Sequence, residues 1–283
     1  MAQHVAMFGA GSWGTALAVL LADAGHEVTL WARRPEAAAS MRETRHNPTY
    51  LPEVTIPDSV RITSDLEVAA RSASVWAIAI PSQAVRSVAQ KLAPFAHPDM
   101  LVVSLAKGIE NHTLKVPTQV LAEVLTSVPA DRIGVLHGPS HAEEVAEGRP
   151  TTVVAAAPTE STAEAIQSIF MTDRLRVYVN TDVIGVEVGG AVKNVLALAA
   201  GMGDGLGYGD NSKAAIVTRG IAEIRRLGIA LGADPSTFAG LAGIGDLVVT
   251  CMSEHSRNRY FGEQIGRGRS LEEVEASMDM IAE

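Results

Sequence analysis

The stretch VAMFGAGSWGTALAVLLADAGHEVTLWARR, residues 5–34, decides the fold class. A short apolar run ends in the motif Gly9-Ala10-Gly11-Ser12-Trp13-Gly14, a helical pattern follows it, and a second apolar run ends at Trp31. In this context Gly9 permits a tight turn, Gly11 lets the backbone approach a pyrophosphate, and Gly14 lets the helix pack closely on the strand. The first turn of the helix adds N–H groups and the positive end of the helix dipole. The stretch predicts a dinucleotide-binding βαβ unit, with a glycine-rich turn that binds no ligand as the alternative.

Strand-like and helical patterns alternate from residue 4 to about residue 180, which is typical of βαβ units in a mostly parallel sheet. The predicted strands are His4–Phe8, Glu27–Trp31, Val75–Ile80, Leu101–Leu105, Ile133–Leu136, Thr152–Ala156 and Leu175–Val179. The predicted crossover helices are Ser12–Ala24, Arg34–Arg45, Asp65–Ala73, Ser82–Leu92, Val116–Leu125 and Ser161–Phe170. The connection from Asn47 to Pro57 contains three prolines and is predicted to be irregular.

The strand pattern stops after Asn180. The remaining pattern predicts, in order, a long helix of small residues over Val183–Gly203, a glycine-rich turn over Asp204–Asn211, a helix over Lys213–Leu231 and further short helices. We therefore expect an α/β fold in two domains. Residues 1–180 would form a Rossmann-like, doubly wound dinucleotide-binding domain, and residues 181–283 an all-helical substrate and catalytic domain.

The bulk composition excludes several classes of protein. With 47% hydrophobic and 19% charged residues the chain reads as globular, and no uninterrupted apolar run reaches the ~18 residues that span a bilayer. A net charge of -9 argues against a nucleic-acid partner, because such surfaces need excess Lys and Arg. Cys251 is the single cysteine and cannot form an internal disulfide, and the N-terminus carries no secretory signal pattern. We expect a cytoplasmic chain without a membrane span.

Two arginines bear on the choice of cofactor. NAD-binding units usually carry Asp or Glu after the second strand, where it accepts a hydrogen bond from the ribose 2′-hydroxyl. Here Arg33 and Arg34 stand in that place, and guanidinium groups suit a 2′-phosphate. The pattern favours NADP(H) as the cofactor, and NAD(H) is the alternative. The alternative is two solvated arginines at the start of a helix.

Two further strands end in polar residues. Lys107 follows a strand at the carboxyl edge, where open α/β sheets bind ligands. Ser140 follows another and either caps the next helix or contacts a substrate. His137 and His141 share the spacing of some zinc motifs, but the Glu of those motifs is absent and an intervening proline breaks the helix, so we expect no metal.

Lys193 interrupts an otherwise apolar, glycine- and alanine-rich helix. Burying its charge without a partner would cost several kcal/mol, and a lysine in such a place suits proton transfer. Asp246, in a glycine-flanked turn, is the candidate partner. The alternatives are that Lys193 extends to water and that Asp246 only caps a helix.

The segment Ser256-Arg257-Asn258-Arg259 places a hydroxyl, an amide and two guanidinium groups together, a set that suits a phosphate. The alternative is a helix N-terminus at which Ser256 caps and the arginines are solvated. The sequence alone leaves both interpretations open.

Six motifs, taken in order, resemble the bacterial NAD(P)-dependent glycerol-3-phosphate dehydrogenases. They are GAGSWGTALA, SLAKGIE, GPSHAEEVA, GVEVGGAVKNVLALAAGMGDGLGYGDNSKAA, LAGIGDLVVTC and SRNRYFG, and they extend through nearly the whole chain. The resemblance implies hydride transfer between a nicotinamide cofactor and a small phosphorylated three-carbon substrate, with dihydroxyacetone phosphate and sn-glycerol 3-phosphate interconverted for phospholipid synthesis. It is compatible with a homodimer.

The resemblance also assigns expected roles to individual residues. Lys193 is the expected proton donor and acceptor, assisted by Asp246 and Lys107. The expected substrate-binding residues are Lys107, Gly138, Ser140, Asp246, Ser256, Arg257 and Asn258. The expected cofactor-binding residues are Gly9, Gly11, Ser12, Trp13, Gly14, Arg33, Arg34, Tyr50, Lys107, Ala142, Arg257, Ile281 and Glu283.

Two other functions are compatible with parts of the pattern. A dinucleotide-binding redox sensor without turnover would explain the N-terminal half and leave Lys193 and Asp246 without a task. A related two-domain dehydrogenase acting on a hydroxy acid would use Arg257 to bind carboxylate. Members of the family usually extend some tens of residues beyond Glu283, so the helical domain is expected to lack its C-terminal end here, along with any contacts that end makes.

Overall fold

The structure, a computed structural model, describes residues 2–278, which divide into two compact units. The first unit extends to Val183 and excludes His137–Pro139. The second combines His137–Pro139 with the chain from Ile184 onward. The boundary between residues 180 and 181 stays a prediction.

The first unit is built on a mostly parallel sheet. Within residues 2–278 the strands are β1 His4–Phe8, β2 Glu27–Trp31, β3 His46–Asn47, β4 Leu51–Thr55, β5 Arg61–Thr63, β6 Val75–Ile78, β7 Leu101–Ser104, β8 Ile133–His137, β9 Thr151–Ala156 and β10 Leu175–Asn180. The main sheet has the order β10-β9-β8-β7-β6-β1-β2-β5. Strand β1 pairs in parallel with β2 on one side and β6 on the other, so the winding reverses at β1. The expected doubly wound, Rossmann-like architecture is confirmed.

Helices cover both faces of this sheet. In the first unit they are α1 Ser12–Asp23, α2 Pro35–Thr44, α3 Leu66–Arg71, α4 Val85–Leu92, α5 Pro117–Val124, α6 Ala142–Ala146 and α7 Glu160–Phe170. Alternate residues of β1 enter different clusters: Met7 packs with Leu17 of α1, whereas Phe8 packs edge-on against Trp76. Because successive side chains of a strand point to opposite faces, β1 is apolar at nearly every position.

The connection predicted to be irregular contains strands instead. Strands β3 and β4 form an antiparallel hairpin with His46 opposite Thr55, and β5 extends the main sheet beside β2. Pro52 lies in β4, a strand whose single pairing partner within residues 2–278 is β3. A proline is tolerated on such an edge because it removes no ladder hydrogen bond there, although it obscures the strand pattern in the sequence.

The second unit is helical. Within the described residues its helices are α8 Val183–Gly205, α9 Gly209–Ala230, α10 Asp246–Met252, α11 Arg257–Gly266 and α12 Leu271–Ala276. The glycine-rich turn predicted over Asp204–Asn211 is shorter than expected, because α8 continues to Gly205 and α9 begins at Gly209. The wide turn Leu241–Gly245, with π-helical hydrogen bonding, leads directly into α10.

Glycines bring α8 and α11 into backbone contact. A Cβ added at Gly201 of α8 would lie 1.9 Å from the carbonyl oxygen of Arg259, and one at Gly262 of α11 would lie 2.1 Å from that of Leu198. The distance between packed helices depends on the side chains at their crossing, so only glycine permits this approach. The start of α11 is thereby fixed against α8.

Helix α8 is long and apolar enough to cross a bilayer, and half of its most apolar stretch is buried inside the protein. The core helix of a soluble domain can have the same length and composition. The buried charged side chains of Glu187 and Lys193 both lie on it. Length and composition therefore give only weak evidence for a membrane helix.

Candidate active site

The glycine motif forms the turn between β1 and α1. Gly9 has a φ of +119°, and a Cβ there would lie 2.1 Å from the carbonyl oxygen of Ala79. A Cβ at Gly14 would lie 2.0 Å from the carbonyl oxygen of Gly9, whereas one at Gly11 would meet no heavy atom within 4 Å. Gly9 and Gly14 are thus required by packing, while Gly11 borders open space at the N-terminus of α1. This arrangement fits a pyrophosphate.

The β3–β4 hairpin is bonded to this turn. The Ser12 hydroxyl donates to the carbonyl oxygen of Tyr50 at 2.8 Å. The buried Asn47 amide donates to the carbonyl oxygen of Ala10 at 2.9 Å and to the Thr15 hydroxyl at 2.8 Å. Its side-chain oxygen accepts from the Tyr50 N–H. The structure therefore brings Ser12 and Tyr50 together and adds Asn47, which the sequence analysis did not identify.

Trp13 and Ala142 lie in one apolar cluster. They pack with Ala16 of α1 and Leu51 of β4. Both residues were expected near the cofactor, and within the first unit they lie side by side next to the glycine turn.

Arg33 and Arg34 follow β2 and are exposed, and α2 begins directly after them. Neither guanidinium has a hydrogen-bond or ion-pair partner among residues 2–278. Two nearby arginines are used structurally: Arg42 donates to the carbonyl oxygen of Ile62, and Arg45 to that of Ile56. Arg33 and Arg34 are therefore placed to meet an anionic ligand at the end of β2.

Lys107 lies in the loop that follows β7 and is half-buried. The register aligns Phe8 with Ile78 and Ile78 with Ser104, so β1, β6 and β7 end side by side. This alignment places the Lys107 loop at the same edge of the sheet as the glycine turn.

Gly138 and Ser140 follow β8. Gly138 has a φ of +155°, and Ser140 is half-buried. The His137 ring is buried, with its Nδ1 3.4 Å from the carbonyl oxygen of Val186. Across residues 2–278 no group of three or more His, Cys, Asp or Glu is arranged to hold a metal ion.

Lys193 lies in a buried cluster of the second unit. Its ammonium donates to Asp246 Oδ1 at 2.5 Å and to the Thr250 hydroxyl at 2.7 Å. Lys193 is 8% exposed and Asp246 1% exposed. The alternatives that Lys193 extends to water and that Asp246 only caps a helix are therefore wrong. The Thr250 hydroxyl also donates to the carbonyl oxygen of Asp246 at 2.6 Å.

A close helix contact makes this cluster possible. Gly189 precedes Lys193 by one helical turn, and Ala242 precedes Asp246 by the same interval. A Cβ at Gly189 would lie 2.3 Å from the carbonyl oxygen of Ala242. Because the two backbones touch at this point, the side chains one turn further on meet at hydrogen-bond distance.

The neighbouring Cys251 is fully buried, and burial raises the pKa of its thiol to about 11. A thiol in such surroundings stays protonated and inert near neutral pH. Cys251 therefore acts as a small apolar residue of the core.

The Ser256–Arg259 segment starts α11. Ser256 is buried, and its hydroxyl caps the helix by accepting from the Arg259 N–H. Arg257 is exposed and Asn258 half-buried in the first turn. Arg259 instead binds Asp204 at 2.9 Å, Glu263 at 3.1 Å and the carbonyl oxygen of Ser253 at 3.0 Å.

Of the two guanidinium groups in this segment, that of Arg259 is thus neutralised by carboxylates and that of Arg257 is exposed. Capping by Ser256 does not exclude a substrate contact there. The expected cofactor contacts at Ile281 and Glu283 lie outside the described residues.

Sequence reasoning missed Thr250 and Asn47. Thr250 lies one helical turn after Asp246, a spacing that puts the two on one face and could have revealed it. Asn47 carries no periodic signal, because its partners lie 37 and 32 residues earlier in the chain.

Comparison with known proteins identifies the family. Two family models match, described as the N-terminus and the C-terminus of NAD-dependent glycerol-3-phosphate dehydrogenase, over residues 4–163 and 182–283. A Salinibacter ruber protein named glycerol-3-phosphate dehydrogenase (NAD(P)+) 2 is 69% identical over 100% of this chain and 82% of its own length. A Chlorobium phaeobacteroides protein named glycerol-3-phosphate dehydrogenase (NAD(P)+) is 56% identical over 99% of this chain and 84% of its own.

A solved structure agrees with the family models and with the two relatives. The crystal structure of glycerol-3-phosphate dehydrogenase from Coxiella burnetii superposes with a TM-score of 0.94 at 36% identity, covering 99% of this chain and 85% of that one. The resemblance drawn from the six motifs is confirmed. This chain belongs to the NAD-dependent glycerol-3-phosphate dehydrogenase family.

Proposed function

We propose that this chain interconverts dihydroxyacetone phosphate and sn-glycerol 3-phosphate, and so supplies the backbone of glycerophospholipids. Family membership supports the reaction class and the substrate. The observation that carries the proposal is the buried Lys193, whose ammonium is held by Asp246 and Thr250. A bound nicotinamide supplies or accepts the hydride at C2 of the substrate.

Lys193 donates a proton to the C2 oxygen as negative charge develops there, and takes it back in the oxidative direction. Asp246 gives the ammonium a charge partner away from water and fixes its direction at 2.5 Å. Thr250 takes a second of the three hydrogen bonds that an ammonium can donate. Lys107 adds positive charge near the same oxygen.

The phosphate of the substrate is held at the start of α11. Arg257 and Asn258 occupy the first turn of a ten-residue helix, where N–H groups and the helix dipole attract anions. Gly138, Ser140, Asp246 and Ser256 complete the proposed substrate contacts.

The proposed cofactor is NADP(H) in preference to NAD(H). The exposed Arg33 and Arg34, whose guanidinium groups lack partners within residues 2–278, support a 2′-phosphate. The glycine turn, Ser12, Trp13, Tyr50, Lys107, Ala142 and Arg257 complete the proposed contacts, with Ile281 and Glu283 carried over from the family resemblance. Initial rates with each reduced cofactor, measured before and after Arg33→Asp, test this preference. An unchanged preference would count against it.

The central test is oxidation of NADPH in the presence of dihydroxyacetone phosphate, followed by loss of cofactor absorbance. The proposal expects turnover that depends on the keto-phosphate and is absent with a 2-oxo acid. A redox sensor would bind NADPH without consuming it. A hydroxy-acid dehydrogenase would turn over the 2-oxo acid instead.

Three further expectations, about domain role, cellular location and oligomeric state, are part of the proposal. Residues 181–283 act as the substrate and catalytic domain, the location is cytoplasmic, and the chain forms a homodimer. The single buried cysteine supports a reducing compartment. Sedimentation of the purified chain tests the oligomeric state.

A further inference from the structure

The loop that carries Lys107 is contacted at several points by one other segment. Residues 105–116 form neither helix nor strand. The Leu105 N–H donates to the carbonyl oxygen of Ile78 at 2.9 Å and extends the sheet ladder one residue beyond β7. From Gly108 onward the loop is contacted by Ser82–Arg86, the turn and first helical residues that follow β6.

Each of the four residues after Lys107 is engaged by this segment. Gly108 has a φ of +143°, and a Cβ there would lie 2.4 Å from the Ser82 hydroxyl oxygen. The Gln83 amide donates to the carbonyl oxygen of Ile109 at 2.8 Å, and its oxygen accepts from the Asn111 N–H at 2.9 Å. The Gln83 side chain thus pairs with the loop backbone at two points, as a neighbouring strand would.

Arg86 and Glu110 form the charged part of the same contact. Arg86 Nε and Nη2 donate to the two carboxylate oxygens of Glu110 at 2.9 and 2.8 Å. The side chains are 25% and 11% exposed, so this two-point pair is partly shielded from water. The hydrogen bond from Arg86, assisted by the Thr113 hydroxyl, lowers the pKa of Glu110, which therefore stays ionised near neutral pH.

Arg86 also binds Glu123 of α5 at 3.1 Å, outside the loop. The Glu123 side chain is 44% exposed and pairs with Lys115 as well. Exposed pairs of this kind contribute little. Glu123 therefore offers a matched control, because it contacts the same guanidinium but meets the loop at the Lys115 side chain, eight residues after Lys107.

We propose that Gln83 and Arg86, the latter through Glu110, are positioning residues that fix where the Lys107 amine stands. The backbone of Lys107 is held two residues before it by the ladder bond and one residue after it by the Ser82–Gly108 contact. A displacement of about 1 Å at a reacting group can cost up to ~100-fold in rate. The inference rests on the proposed role of Lys107 in binding and charge stabilisation.

The test compares Arg86→Lys, Glu110→Gln and Glu123→Gln. Arg86→Lys keeps the charge but loses the two-point geometry. We expect Arg86→Lys and Glu110→Gln to lower kcat/KM for dihydroxyacetone phosphate by about tenfold or more. Glu123→Gln should stay within about twofold of the parent. Equal losses in all three variants would overturn the inference.

A double-mutant cycle with Lys107→Ala separates positioning from general stability. If Arg86 acts through Lys107, Arg86→Lys should change kcat/KM by less than about twofold in the Lys107→Ala background. Additive losses would assign Arg86 a structural role and overturn the inference. If Lys107→Ala alone stays within about threefold of the parent, the proposed role of Lys107 fails first.

Gln83→Ala is the second variant, and because Gln83 is exposed its removal leaves the core intact. We expect faster hydrogen exchange at the Asn111 amide together with about a threefold or greater loss in kcat/KM. Faster exchange with unchanged kinetics would show that holding the loop does not position Lys107.

Discussion

Lys107 and Lys193 lie in different kinds of surroundings. Lys193 lies on a long helix, is 8% exposed, and has its ammonium fixed by the side chains of Asp246 and Thr250. Lys107 lies in an irregular loop whose neighbouring residues are held by Gln83 and Arg86. A buried charge needs partners on its own atoms, because losing one leaves it unpaired away from water. We therefore expect stability and turnover to be coupled at Lys193 and separable at Lys107.

The largest expected effect is on turnover at Lys193. Loss of a general acid usually costs ~10²–10⁴-fold, so Lys193→Ala should lower kcat within that range, because the C2 oxygen then lacks its proton donor. Steady-state kinetics with saturating cofactor measure it. Lys213 is a matched control, since it is another partly buried lysine of the second unit, 15% exposed and paired with Asp204. A Lys193→Ala kcat within about tenfold of the parent would remove the catalytic assignment.

The second effect is on stability at the same cluster. Asp246→Ala should cost about 3–5 kcal/mol in the free energy of unfolding, because it strands the Lys193 charge in a buried place. The double variant Lys193→Met/Asp246→Leu should recover most of this loss while staying inactive. Urea unfolding and kinetics on the same samples measure both. If the double variant is as unstable as Asp246→Ala, packing rather than charge dominates at this site.

Arg257 tests whether stability and substrate binding are separable at an exposed cation. Because it is exposed in the first turn of α11, Arg257→Ala should leave stability almost unchanged and should raise KM for the keto-phosphate at least as strongly as it lowers kcat. Arg226, 62% exposed on α9 and paired with Glu223, is the control arginine and should change neither constant. A pure kcat loss in Arg257→Ala would contradict the phosphate-binding role.

The difference between local patterns and distant pairings explains what the sequence could and could not predict. The glycine turn is local, so its fold and its cofactor class were predictable from spacing. Lys193 and Asp246 were recognisable because each interrupts an apolar or glycine-rich pattern. The ion pair of Arg259 was not predictable, because its partner Asp204 lies 55 residues away. Neither periodicity nor residue type indicates such a pairing before the helices α8 and α11 are packed.

The support of Lys107 was also hidden, for a related reason. Gln83 and Arg86 follow one strand and the loop follows the next, so their meeting depends on β6 and β7 being neighbours. The sequence predicted both strands but not that pairing. Long-range contacts of polar side chains are therefore the part of this site that required the structure.

The smallest expected effect is the acid response of Glu123, the exposed second partner of Arg86. Hydrogen bonds from Arg86 and then Lys115 lower the pKa of Glu123 from 4.5 to about 2. A carboxylate whose pKa is lower in the folded state stabilises the fold fully above its unfolded value, and that contribution is lost as the pH falls through the folded value. The difference in unfolding free energy between the parent and Glu123→Gln should thus be small at pH ~5.5 and shrink further toward pH ~2.5. A difference that grows on acidification would mean that Glu123 is not held in its ionised form by Arg86.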